Sequence, residues 1–223
     1  MFARVVRAQE KGIELKIERI TKTEKNRDIF AVAFDDGEEI KVSAAQIADF
    51  SLCAGRELSE GERAELTEAV KLRSAKARAI RILGNRSLSK SEIAKRLVKK
   101  GEDGETARET AEWLENIGVI NDEEYAAAIV KHYCAGGYGR ARIRDELYRR
   151  GIPRELWDEA LERHGGGEEA AAYEYIKKKL GSDAGKEDIR RAISALQRRG
   201  FSYDQARSAI SAYMENLENA EEI

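Results

Sequence analysis

A chain of 223 residues with 42% apolar and 37% charged side chains, a net charge of −2 and one proline has core enough for one large or two modest domains. That charge density suits a mainly helical protein with solvated outer faces. No run of about 18 apolar residues is present, which excludes a membrane-spanning helix, and Met1-Phe2-Ala3-Arg4-Val5-Val6-Arg7 lacks the apolar core of a secretory signal, so a cytoplasmic protein is expected. Cys53 and Cys134 are too few for a disulfide framework and too isolated for a zinc site.

Gly12 to Thr21 alternates Ile13, Leu15 and Ile17 with Glu14, Lys16 and Glu18, the pattern of a half-buried strand. Asp28 to Phe34 and Glu38 to Val42 flank Asp35-Asp36-Gly37, a hairpin signal, so residues 1–58 are expected to hold a small antiparallel sheet of about three strands. A short helix over Ala44 to Asp49 should follow it. Ser59 and Glu62 form a capping box that opens a connecting helix over 59–74.

From there the chain is one unit written three times. Leu97-Val98-Lys99-Lys100-Gly101, Leu147-Tyr148-Arg149-Arg150-Gly151 and Leu196-Gln197-Arg198-Arg199-Gly200 end alike, with glycines 50 and 49 residues apart. Three-helix repeats are expected over 75–120, 121–167 and 168–218, with 219–223 as a disordered tail. Their helices are placed at Ala75–Leu83, Ser89–Lys100 and Thr106–Asn116, then Asp122–Tyr133, Arg140–Arg150 and Pro153–Arg163. The last three are Glu168–Leu180, Lys186–Arg199 and Ser202–Leu217. The glycines sit where a helix end needs a left-handed residue, after cations that favour the negative end of its dipole. Leu97, Leu147 and Leu196 align four residues before them, while Ala111, Leu161 and Ile210 align ten after, which is a core layer in register. The third repeat departs, its Ile189, Ile193 and Leu196 being shifted by a residue. The fold class is therefore mainly α, an elongated or curved array of three tandem repeats after an N-terminal β segment.

Charge is segregated along this array. The middle helices carry +4 over Ser89–Gly101 and +3 over Gly139–Gly151 and Lys186–Gly200, whereas the stretches after them carry −8, −4 and −4. Arg140, Arg142, Arg144, Arg149 and Arg150, supported by Lys95 and Lys99, are the candidate contact residues, since guanidinium forks suit carboxylate and phosphate. The same cations could instead neutralise the neighbouring acidic helices.

No catalytic constellation emerges. His132 and His164 have no serine or cysteine partner at a recognisable spacing, and Gly136-Gly137-Tyr138-Gly139 follows a helix rather than the strand a nucleotide loop requires. Asp35-Asp36 reads as turn chemistry and Asp122-Glu123-Glu124 as an acidic first helical turn. A non-enzymatic protein without metal or cofactor is expected.

The segment Gly139-Arg140-Ala141-Arg142-Ile143-Arg144-Asp145-Glu146-Leu147-Tyr148-Arg149-Arg150-Gly151-Ile152 resembles the central signature of the bacterial RecX regulators. Asn121-Asp122-Glu123-Glu124-Tyr125-Ala126 is similar to the acidic segment that precedes that signature, and the resemblance spans roughly Ala77 to Tyr213. It implies a regulator that binds the RecA recombinase and its filament on DNA, and a monomer is expected. Such a regulator curbs ATP turnover, strand exchange and coprotease activity, with direct contact to single- or double-stranded DNA left open. The alternatives are a DNA-binding protein that competes for recombination substrates and an α-helical scaffold for an unrelated partner.

Overall fold

The computed structural model describes residues 15–24, 28–84 and 86–221, and the chain divides into two compact units, Met1–Arg78 and Ala79–Ile223. In the first, strands β1 (Leu15–Lys22), β2 (Ile29–Phe34), β3 (Glu39–Ser43) and β4 (Glu57–Leu58) form an antiparallel sheet ordered β3-β2-β1-β4. The expected hairpin is β2–β3. Gly37 turns it at φ 87°, a conformation L side chains avoid, and Asp36 accepts the Glu38 amide at 2.9 Å. The sheet has four strands rather than three, because Leu58 buries its side chain in the same core as Leu15 and thereby pairs with it. Gly12, Ile13 and Glu14, the start of the expected first strand, lie outside the described residues.

The alternation in β1 sends Leu15 and Ile17 into a core with Val32, Phe34, Val42 and Leu66. Helix α1 (Ala44–Asp49) opens on a capping box between Ser43 and Gln46. Helix α2 (Glu60–Leu83) opens on the expected Ser59–Glu62 box and runs unbroken to Leu83. The connecting helix and the first helix of repeat one are thus a single element, since nothing between Leu72 and Ala75 interrupts it.

The second unit holds the repeats. Repeat one ends α2 and adds α3 (Lys90–Lys99) and α4 (Gly104–Asn116). Repeat two is α5 (Asp122–Ala135), α6 (Arg140–Arg149) and α7 (Trp157–His164), and repeat three is α8 (Glu168–Lys179), α9 (Lys186–Arg198) and α10 (Tyr203–Glu221). Pro153 does not enter α7 directly. A short 3-10 turn at Arg154–Leu156 intervenes, and the Trp157 indole donates to the Ile152 carbonyl at 3.0 Å. Helix α10 passes Leu217 to Glu221, into the expected tail, because no glycine or proline stops it.

Each repeat buries its own cluster. Ile93, Leu97 and Leu114 anchor the first, Ile143, Leu147 and Leu161 the second, and Ile176, Leu196 and Phe201 the third. Gly101, Gly151 and Gly200 have φ of 96°, 67° and 92°. At each, the amide two residues past the cap donates back to the aligned leucine carbonyl: Glu102 to Leu97 at 3.1 Å, Ile152 to Leu147 at 3.0 Å and Phe201 to Leu196 at 3.1 Å. These are three Schellman ends in register, and the glycine is needed for its left-handed backbone.

Candidate binding face and the joints between repeats

The middle helices α3, α6 and α9 meet end to end. The C-terminal turn of α9 closes onto the N-terminus of α6, where the Gly139 amide donates to the Arg199 carbonyl at 2.9 Å and the Ala141 amide to the Gly200 carbonyl at 3.2 Å. The turn of α6 closes in the same way onto α3, where the Ser89 hydroxyl donates to the Arg150 carbonyl. At the α9–α6 joint the end carbonyls of one helix meet the free amides of the next, while at the α6–α3 joint the Ser89 side chain supplies the donor. Glycine is required here twice over. A Cβ on Gly200 would lie 2.3 Å from the Arg142 nitrogen, and one on Gly151 would lie 2.5 Å from the Ser91 Oγ.

The arginine before each glycine clasps its joint. Arg150 donates through Nε to Glu146 at 2.8 Å and through Nη1 to the Tyr125 hydroxyl at 2.7 Å, and it lies 3.6 Å from Glu92 on α3. Asp122 completes this joint by accepting the Lys90 amide at 2.9 Å, and burial pushes its carboxyl above the ordinary value. Arg199 has no carboxylate partner among the described residues. It donates to the Gly137 and Gly136 carbonyls at 3.0 and 2.6 Å, with its guanidinium 4.4 Å from the Tyr138 ring centre and 5.0 Å from that of Tyr175.

Glu146 is the buried charge of this region, only 2% exposed. Burial alone would raise its carboxyl. Hydrogen bonds from Arg150 and Tyr133 and the charges of Arg149 and Arg150 outweigh it, so the group is held below the ordinary carboxylate value. Arg149 reaches its second oxygen at 3.1 Å.

The seven candidate contact residues fall into three groups. Arg150 is committed to the joint. Arg140, Arg144 and Arg149 pair with Glu168 at 3.4 Å, Asp158 at 2.8 Å and Glu146, yet each keeps an exposed guanidinium. The Arg144–Asp158 pair is exposed on both sides and contributes about 0–1 kcal/mol, so an outside partner can compete for it, whereas the carboxylates that Arg140 and Arg149 face are more buried. Lys95, Lys99 and Arg142 have no ion pair among the described residues, and both lysines are exposed. The intramolecular neutralisation that the sequence allowed is therefore present, but partial.

Two features of this face escape a reading by charge. Val98 on α3 and Tyr148 on α6, both three residues before the glycine, are 49% and 68% exposed, so each middle helix of the first two repeats presents an apolar side chain beside a cation. Arg199 is a clasp like Arg150. The repeated Arg-Arg-Gly triplet carried that signal, and only the docking of one helix on the next shows which arginine turns inward. His132 packs edge-on to Tyr133, and burial raises the half-buried Cys134 thiol. Among the described residues no group of three or more His, Cys, Asp or Glu side chains is placed to hold a metal, and no helix is long and apolar enough to cross a membrane.

Two family models match this chain, RecX second three-helix domain over residues 121–161 and RecX third three-helix domain over 167–210. The regulatory protein RecX of Bacillus subtilis (strain 168) is 30% identical over 207 residues, which cover 91% of this chain and 77% of that protein. The chain belongs to the RecX family. The regulatory protein RecX of Herbaspirillum seropedicae is 30% identical over 137 residues, 61% of this chain and 88% of that protein. A crystal structure of regulatory protein RecX superposes with a TM-score of 0.72 at 21% identity, covering 88% of this chain and 99% of that one. The RecX crystal structure from Lactobacillus salivarius gives 0.58 at 19% identity, covering 65% and 97%. These two likenesses concern the fold. It is the RecX fold that sets three basic middle helices end to end.

Proposed function

We propose that this RecX-family protein is a cytoplasmic, non-enzymatic regulator that binds the RecA recombinase filament and inhibits its ATPase, strand-exchange and coprotease activities. The observation that carries this reading is the end-to-end run of the basic helices α3, α6 and α9, the first two of which set an exposed apolar residue beside a cation. A repeating partner is matched best by a repeating face, because several modest contacts on one rigid array act at high effective concentration. Lys95, Lys99 and Arg142 supply charge without losing an internal pair, Arg144 supplies it by exchanging a shallow one, and Arg140 and Arg149 through the exposed sides of their guanidiniums. Arg150 acts indirectly, by fixing the joint between the first two repeats. Steering of an acidic filament surface by this face speeds encounter more than it adds affinity.

The test is ATP hydrolysis by the cognate recombinase on single-stranded DNA with this protein titrated in. Inhibition well below one molecule per recombinase subunit is expected. Full activity at excess protein refutes the proposal. A second reading, direct binding to single-stranded DNA as a monomer, is favoured by Tyr148, an exposed ring beside Arg149 on which a base can stack. Its signature is affinity for naked strands that falls with salt at a log–log slope of about −0.7 per phosphate contacted.

A further inference from the structure

Repeat two shows where a carboxylate belongs in this architecture, and repeat three lacks it. Counting back five residues from the joint glycines, Glu146 corresponds to Ala195. The groups around it correspond as well: Arg149 to Arg198, Arg142 to Arg191 and Ile143 to Ala192. On the first helices the buried pair Ala126 and Val130 corresponds to Ala172 and Ile176, which puts Lys179 where Tyr133 stands. The third repeat has therefore lost the buried acid and the bulk beside it, while the tyrosine that faced that acid has become a cation.

A cavity of about 440 Å³ occupies the vacated space, with Ala192 and Ala195 on its wall and Lys179, Arg191 and Arg198 around it. Asp183 and Asp188 line it too. Asp188 approaches Arg191 at 3.7 Å and Glu187 approaches it at 3.9 Å, so that arginine is already shared. Lys179 and Arg198 are exposed and form no ion pair among the described residues. In repeat two Glu146 lies 3.1 Å from Arg149, the counterpart of Arg198, and 2.8 Å from Arg150, whose counterpart Arg199 is committed to the joint, and it accepts from Tyr133, the counterpart of Lys179.

We propose that this cavity binds the carboxylate of a glutamate or aspartate on an acidic protein partner, held by Arg198 where Arg149 faces Glu146 and by Lys179 where Tyr133 does, the cation at that position replacing the charge of the committed Arg199. The site is distinct from the seven cations of the candidate face, and it stands whether or not the partner is the recombinase. Its receptor is two flexible cations and a shared arginine, so it reads charge and reach rather than one fixed geometry.

The full chain is titrated into a fluorescein-labelled oligoglutamate peptide at low salt, followed by anisotropy. Lys179→Gln with Arg198→Gln should weaken binding at least tenfold, while Arg108→Gln with Arg163→Gln, which removes two exposed charges elsewhere, should change it less than twofold. Ala195→Glu places a carboxylate in the cavity from within the chain and should weaken the peptide at least tenfold with helical content retained. If Ala195→Glu unfolds the chain, the two charge-neutralised variants decide alone. Equal losses in those two variants overturn the proposal, as does wild-type affinity in a folded Ala195→Glu chain. Loss of an oligothymidine probe with the peptide unaffected also overturns it, by making the cavity a phosphate site.

Discussion

The two joints share a glycine-ended helix turn and differ in what receives it. Between repeats one and two, Arg150 is held by Glu146, Tyr125 and Glu92, and Asp122 caps the receiving helix. Between repeats two and three, Arg199 is held by two carbonyls and two tyrosine rings, and the receiving helix is pressed so closely that both touching residues are glycine. What recurs is the set of unsatisfied helix ends, which any sequence must satisfy. What varies is how the clasping guanidinium is neutralised. An ionic joint responds to pH and salt, while one built on backbone contact responds to steric change.

The glycines test this most forcefully. Gly200→Ala combines a left-handed backbone with a Cβ 2.3 Å from a main-chain nitrogen that cannot move alone, and should cost about 4 kcal/mol or more. Gly151→Ala meets Ser91, whose hydroxyl can rotate away but whose Cβ stays 2.7 Å off, so the turn must shift; with no main-chain atom that close, it should cost less than Gly200→Ala. Gly101→Ala has nothing within 4 Å, so only the strain of its φ remains, about 1–2 kcal/mol. Urea denaturation of the three variants checks the order 200, 151, 101. Equal losses would show that the joints do not bear on stability.

Glu146→Ala is the next effect in size. Removing one member of a buried pair costs about 3–5 kcal/mol in general. The low end, about 3, is expected here because Arg149 and Arg150 keep water-facing sides. The loss should fall on the first joint, read as faster hydrogen exchange at the N-terminus of α3 with that of α6 unchanged.

Acid should separate the joints without mutation. The Glu146 carboxyl titrates below its ordinary 4.5 in the folded chain. The stability it contributes is therefore fully present above 4.5 and is lost as pH falls through the lower folded-state value. Asp122, raised by burial, works in the opposite sense, becoming easier to bury as it protonates. Lowering pH from 5 to 3 should expose the α3 N-terminal amides before those of α6, since Arg199 has no carboxylate to protonate among the described residues. Simultaneous opening of both ends would show that Glu146 does not govern the first joint.

The repeat and its helices were legible in the chain because period, leucine register and terminal glycine encode local physics. Helix ends, capping boxes and the Asp-Gly hairpin are likewise settled within a few residues of sequence. The pairing of β4 with β1 was not, since two residues, Glu57 and Leu58, are too short a run to show a strand pattern before the core that Leu58 completes is known. The joints were hidden for the same reason. Gly139 reads as a turn glycine, and only the approach of Gly200 from 61 residues away explains why no side chain fits. The candidate site was half legible. Arg150 and Arg149 look equivalent in sequence, and the burial of Glu146 between them decides that one clasps while the other faces out.

The smallest expected effect on stability carries the largest one on function. Arg140→Glu with Arg144→Glu turns the ion pairs of two exposed arginines, to Glu168 and Asp158, into repulsions. Exposed pairs contribute little, so the midpoint of unfolding should move by about 1 kcal/mol and helical content should be unchanged. Both joints keep their donors, the Gly139 and Ala141 amides at one and the Ser89 hydroxyl at the other. If the middle-helix face is what meets the recombinase filament, inhibition of ATP hydrolysis should nevertheless fall at least tenfold, since two attractions have become repulsions at the centre of the array. Inhibition that survives in a folded variant would move the contact off α6. Unfolding would mean that these arginines belong to the packing of repeat two, as the joint arginines already do.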